Sequence, residues 1–204
     1  MKKSFTILEL IIVLLLLSLL YTSFIPKTNT NNIYELKNRL ILQLKYLRYK
    51  ALTDSKYDES DSKWHKKRWS FKIFNCNKNK DGVYYVMYSD TNNSGLIKGD
   101  EALDDPLSNK NIYSAHQCIP NNSNSKYVLL SDNFNIKEIS ATCKSTDAIV
   151  QISFGFDGNI YSRLSNDDGD SNNYKLEEKC IINIIDKDSN KISITVENKT
   201  GFIY

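Results

Sequence analysis

From Phe5 to Ile25 the chain is apolar except at Thr6, Glu9, Ser18, Thr22 and Ser23. Wound as an α-helix, that run extends about 31 Å, close to the thickness of a bilayer core. The polar stretch KTNTNN, Lys27 to Asn32, interrupts it with poor helix formers. A second helical pattern follows, with Ile33, Leu36, Leu40, Leu44, Leu47 and Ala51 three or four apart in one stripe, to be buried against a globular domain. Past Trp69 the period falls to two. WSFKIFN, VYYVMY, KYVLL, FNIKEI, AIVQISF, NIYSRL, CIINII and KISITV read as strands rich in β-branched and aromatic residues. Asp157-Gly158 in FDGN suits a tight hairpin turn, and DKDSN joins the last two strands in the same local way. Short connections favour antiparallel pairing, so the predicted class is α+β: a long N-terminal helix, half transmembrane and half amphipathic, packed on an antiparallel β-sheet domain.

Charge adds little. The formal net charge is +3, and Lys2 and Lys3 supply two of those charges, leaving +3 − 2 = +1 for the rest. No overall field attracts nucleic acid. The two lysines precede the apolar run, and the positive-inside rule keeps them cytoplasmic, which places the following domain outside. A cleaved secretory signal is the alternative. Its apolar core would be roughly 7–15 residues and end in small residues, whereas this exit reads LLYTSFIP.

Glu9 is the sharper clue. An ionised side chain at the centre of a membrane helix costs about 2.5–3.5 kcal/mol on insertion scales and marks function by default. A solitary Glu needs a partner, and a free α-amino group would serve if the chain were cut just before Phe5. The alternative is an interfacial Glu snorkelling to headgroups. The stretch K-K-S-F-T-I-L-E-L-I-I-V resembles the leader of type IV prepilins and type II secretion pseudopilins. In that family a prepilin peptidase removes a short basic leader before a Phe and N-methylates the new terminus. A Glu follows at the fifth mature position, then a long apolar helix. Phe5, Thr6, Glu9 and Leu10 match, and Pro26 falls where the family kinks this helix. The family usually has Gly before the cut, where this chain has Ser4. NRLILQLKYLRYKALTDS resembles the corresponding helix of the GspH/FimT branch, and ISFGFDGNIYS with ISITVENKTGFIY resembles its C-terminal half more loosely.

The resemblance implies four parts: a leader at 1–4, a transmembrane helix at 5–26, an amphipathic region at 27–57 and a periplasmic β-rich domain at 58–204. It implies cleavage between Ser4 and Phe5, methylation of Phe5, and Glu9 as the assembly carboxylate. The function implied is that of a non-catalytic minor pseudopilin or minor pilin, a filament subunit of a type II secretion system or type IV pilus. It would be single-pass in a bacterial inner membrane until assembly. Its partners would be other pilins or pseudopilins, prepilin peptidase and an inner-membrane assembly platform. The rivals are a DNA-binding minor pilin of DNA uptake and a membrane-anchored periplasmic enzyme or sensor.

Cys76, Cys118, Cys143 and Cys180 make an even set with no C-x-x-C. In an oxidising compartment they suggest two disulfides out of three connectivities, and proximity along the chain selects Cys76–Cys118 and Cys143–Cys180. Four buried free thiols are the alternative.

Two loops carry candidate chemistry. DTNNSGLIKGDE reads as a twelve-residue calcium loop, with Asp90, Asn92, Ser94, the Leu96 carbonyl and Glu101 as ligands and Gly95 at the sharp turn. Lys98 at the ninth position and the preceding strand count against it, and a plain hairpin loop is the competing reading. Apart from this Ca²⁺ no cofactor is expected. SKWHKKRWSF sets Lys63, Lys66, Lys67 and Arg68 among Trp64, His65 and Trp69, a mixture that can hold phosphates and stack on bases. Its competing reading is a solvated basic loop with packed tryptophans. His65 and His116 lie in no catalytic motif, and no nucleophile elbow or phosphate-binding glycine loop is present.

Overall fold

The computed structural model describes residues 7–24, 32–77, 79–143 and 148–204, with side chains of the first segment described through Tyr21. Ser4, Phe5 and Pro26, the expected cleavage, methylation and kink positions, lie outside the described residues. The chain divides into two compact units, 1–30 and 31–204.

The first unit holds α1 (Ile7–Phe24), 18 residues long. It carries every large apolar side chain from Ile7 to Tyr21 on its surface, from 40% exposed at Val13 to 79% at Ile7. Glu9 lies in its first turn, where a carboxylate complements the helix dipole. At 1.5 Å per residue such a helix reaches about 27 Å, short of the roughly 30 Å of a bilayer core. Among the described residues no helix is long and apolar enough to cross a membrane. That finding overturns the expected transmembrane half of a long helix, and the single-pass inner-membrane placement with it.

The second unit opens with α2 (Asn32–Thr53), which buries Ile33, Leu36, Leu40, Leu44, Leu47 and Ala51, the stripe read from their spacing. Gln43 is buried with them. Two antiparallel sheets replace the expected single one. The first runs β2 (Val83–Tyr88), β1 (Ser70–Asn75), β4 (Val150–Phe154) and β5 (Ile160–Tyr161); the second runs β3 (Ile136–Ala141), β6 (Cys180–Asp186) and β7 (Lys191–Val196). α2 contacts β1, β4 and β7, and so serves both sheets with one stripe. Arg48 on its outer side donates from Nε to the Thr200 carbonyl at 2.7 Å, across 152 positions of sequence.

Register follows the alternation of side chains. In the first sheet Phe71 sits opposite Met87 and Ile152, and Ile73 opposite Tyr85 and Val150. This face looks toward α2, since the Tyr85 hydroxyl donates to Gln43 Oε1 at 2.7 Å. The opposite face pairs Ser70 with Tyr88 and Ser153, and Lys72 with Val86 and Gln151. In β7 Ile192, Ile194 and Val196 point inward while Lys191 and Ser193 stay exposed, the one-sided pattern of a half-solvated antiparallel sheet.

Two segments depart from the strand reading. KYVLL becomes a 3₁₀ turn at Lys126–Val128 running into a short helix, α3 (Leu130–Phe134). Local polar bonding explains it: Asn133 Nδ2 donates to the Lys126 and Leu129 carbonyls, and Asn135 ends the helix in the left-handed region at φ 55°. NIYSRL contributes only Ile160–Tyr161, after which the Ser162 N–H turns to the Tyr174 carbonyl.

The long excursion from 89 to 129 closes the outer edge of β2 through backbone bonds involving Met87, Leu103 and Ile112, and through a bridge from Tyr84 to Leu129. It is pinned to α2 by Asp105, whose side chain is fully buried. Asp105 accepts from the Leu107 N–H and the Ser108 and Ser125 hydroxyls, each at 3.1 Å, and faces Arg39 Nη1 at 3.7 Å. The Arg39 guanidinium lies 3.6 Å from the centre of the Tyr127 ring. Disulfides join Cys76 to Cys118 and Cys143 to Cys180, the pairing read from chain proximity. The first ties the end of β1 to the excursion, and the second ties β3 to the start of β6.

Candidate functional site

The basic run does not form one surface. Lys67 Nζ bonds Asp61 at 2.7 Å, and this bond, helped by the Lys63 backbone N–H, holds the Asp61 carboxyl below its ordinary range. Lys63 pairs with Asp168 at 3.2 Å. Arg68 is buried, its guanidinium 3.8 Å from the Tyr161 ring centre and 4.8 Å from that of Trp64, with Nη1 donating to the Ser171 carbonyl at 2.8 Å. Trp64 makes edge-to-face contacts with Tyr57 and Phe156, and the Arg68 guanidinium lies over its ring. The run folds this way because a 3₁₀ turn, Trp64–Lys67, points successive side chains in different directions.

Lys66 has a different setting. It lines a cleft of about 300 Å³ with Lys72, Arg163, Gln151, Tyr88 and Asp90. The floor is the polar face of the first sheet, where Lys72 and Gln151 stand side by side on β1 and β4. Three cations and one carboxylate give the cleft a positive balance. Lys72, Gln151 and Arg163 were not picked out from the sequence. The signal was there in SFKIFN and IVQISF, where a polar residue interrupts an apolar strand at the position facing away from the core.

The Asp90–Glu101 loop borders the same cleft. Both carboxylates are buried, Asp90 at 6% and Glu101 at 8% exposure. Asp90 accepts from the Ser94 N–H at 2.9 Å and the Gly95 N–H at 2.8 Å. Gly95 takes φ +73°, a left-handed conformation that suits its place at the sharp turn. Asn92 Oδ1 accepts from the Ser94 N–H at 2.8 Å, and the Ser94 hydroxyl donates to the Leu96 carbonyl at 3.2 Å. Glu101 reaches back across the loop, Oε1 accepting from Thr91 Oγ1 at 3.1 Å and the Asn92 N–H at 3.3 Å. The loop thus ties Glu101, the twelfth position of the expected ligand set, to Thr91 and Asn92 near its start. Burial first, and then Asp90 and Glu101, push the Tyr88 phenol well above its usual value. No cluster of three or more His, Cys, Asp or Glu suited to a metal occurs among the described residues.

Each histidine has a hydrogen-bond partner. His65 is buried, its Nε2–H donating to the Ser165 carbonyl at 3.2 Å, and burial lowers its pKa. His116 Nδ1 lies 2.8 Å from the Tyr84 hydroxyl, with its ring edge-on to Phe74 and Tyr84. Both rings are engaged in packing. No family model, curated protein or solved structure matches the chain.

Proposed function

We propose that the chain is a non-catalytic subunit of a pilin-like filament, of the minor pilin or minor pseudopilin kind, carried into the assembly by α1. The observation behind this reading is that α1 is apolar on every side, with Glu9 as its one charged residue. A helix with no polar face is stable only when covered all round. In a bundle of like helices from neighbouring subunits each one covers the next, and Glu9 meets the free amino group of a neighbour processed between Ser4 and Phe5. Two disulfides agree with a folded unit matured in an oxidising compartment. The packed histidines agree with a binding and assembly role rather than catalysis.

The test combines mass analysis of the mature N-terminus with Glu9→Gln, which removes the charge at nearly constant shape. The expected result is a chain beginning with methylated Phe5, and a variant that accumulates but fails to enter filaments. A chain still beginning at Met1, with the variant incorporated like the wild type, would refute the proposal.

A further inference from the structure

The cleft of about 300 Å³ over the first sheet collects hydrogen-bond donors from separate stretches of the chain. Gln151 and Tyr88 line it and are only 4% and 5% exposed. Neither the Gln151 amide nor the Tyr88 hydroxyl has a hydrogen-bond partner among the described residues. Side chains buried to that extent nearly always have one. Burial first, and then Asp90 and Glu101, push the Tyr88 phenol up, so it stays protonated and remains a donor. Lys66 and Arg163 line the same cleft, half-buried, and neither pairs with a carboxylate among the described residues. Arg163 is braced by Tyr174, whose ring centre lies 5.2 Å from its Cζ. Lys72 stands opposite Gln151 across β1 and β4, with Nζ 5.6 Å from the Tyr88 ring centre. Asp90 supplies a carboxylate to the lining, its two oxygens already accepting the Ser94 and Gly95 N–H groups.

We infer that this cleft binds a phosphate group, free or as a small phosphomonoester, through Lys66, Lys72, Arg163, Gln151 and Tyr88. The inference is independent of the filament reading. Ammonium, guanidinium, amide and phenol groups all offer N–H or O–H donors, the set that a tetrahedral oxyanion takes up. Lys66, Lys72 and Arg163 outweigh Asp90 by two charges, the balance that a doubly charged ion neutralises. The planar fork of Arg163 suits two oxygens of one phosphate at once. Asp90 adds selectivity. Each of its oxygens keeps a lone pair beyond its backbone bond. That lone pair can accept from a P–OH group, which sulfate does not carry at neutral pH. The volume sits at the low end for ligand pockets, which run from about 300 Å³ upward, and suits a small molecule.

The experiment uses the full chain in mild detergent, with inorganic phosphate, glycerol 1-phosphate and sulfate as probes. Ionic strength is held constant, which removes general screening from the comparison. The melting temperature is expected to rise with phosphate, as for any ligand of the folded state, and to rise less with sulfate. A matching rise with glycerol 1-phosphate identifies an esterified phosphoryl group as the ligand; a rise with phosphate alone identifies the free ion. Lys66→Gln and Arg163→Gln each weaken phosphate binding by at least about tenfold, the worth of a hydrogen bond to a charged group. Lys187→Gln, at an exposed cation outside the cleft, leaves binding unchanged. Gln151→Leu keeps every charge and still weakens binding, which a mere positive field would not show. If Gln151→Leu fails to fold, the two cation variants at half-buried positions decide the matter. No rise in phosphate up to about 10 mM, where a site of millimolar Kd is roughly nine-tenths filled, would overturn the inference. So would an equal response to sulfate, or phosphate binding that Lys66→Gln and Arg163→Gln both leave unchanged. An oligonucleotide that binds where phosphate and glycerol 1-phosphate do not would overturn it as well.

Discussion

Asp105 and Arg39 face each other beneath α2, and removing one should not equal removing the other. At 3.7 Å, with an effective dielectric of about 20, their attraction is roughly 4 kcal/mol before desolvation is subtracted. Asp105 also accepts three hydrogen bonds, from the Leu107 N–H, Ser108 and Ser125. Asp105→Ala therefore strands a guanidinium and the buried Ser125 hydroxyl and frees the 105–109 turn. Breaking a buried pair in this way costs about 3–5 kcal/mol. Arg39→Met leaves the carboxylate with its three donors and keeps an apolar stem against Tyr127, so about 1–2 kcal/mol is expected, the worth of a single modest polar interaction. Urea unfolding followed by the fluorescence of Trp64 and Trp69 measures both, and the double variant gives the coupling. If the two single variants differ by less than about 0.5 kcal/mol, the margin within which independent effects add, the three hydrogen bonds do not hold Asp105 and the reasoning fails.

Further outcomes follow from the same structure. Replacing Cys76 and Cys118 by alanine, or Cys143 and Cys180, opens loops of 42 or 37 positions and should lower stability by about 4 kcal/mol in each case, read from urea midpoints under oxidising conditions. Leu44→Ala, at a fully buried site, should cost about 2.7–5 kcal/mol. Leu42→Ala, two residues away and 46% exposed, should stay within about 0.5 kcal/mol in the same assay. His65 has a folded pKa below its unfolded value of about 6.5. Between those two values the unfolded chain binds more protons, so stability is lost as pH falls below about 6.5 and regained as it rises. His65→Gln, which keeps a donor for Ser165, should shrink the drop in melting temperature between about pH 7 and pH 5.

Spacing alone disclosed much of the fold. The six apolar positions of α2 are the ones buried, because a 3.6-residue repeat leaves no choice of face. Gln43 was invisible in that reading, since its burial depends on the Tyr85 hydroxyl, 42 positions away in the chain. Alternation in CIINII and KISITV told which residues turn inward and the DKDSN turn made the two strands neighbours, but nothing marked which other strands share their sheet, so two sheets read as one. That Lys63 and Lys67 meet Asp168 and Asp61 was hidden as well, because composition cannot show which carboxylates come within reach. The disulfide pairing was legible because near neighbours in sequence were neighbours in space.

The joint service of α2 to both sheets bears on how the molecule comes into being. Its apolar stripe is synthesised early, while β7, one of the walls that cover it, and Thr200, which anchors Arg48, emerge roughly 150 residues later. During that interval the helix offers uncovered leucines to anything nearby, the condition in which nascent chains aggregate or recruit chaperones. A truncation that stops before β7 would leave α2 without that wall, an adhesive fragment rather than a smaller version of the domain.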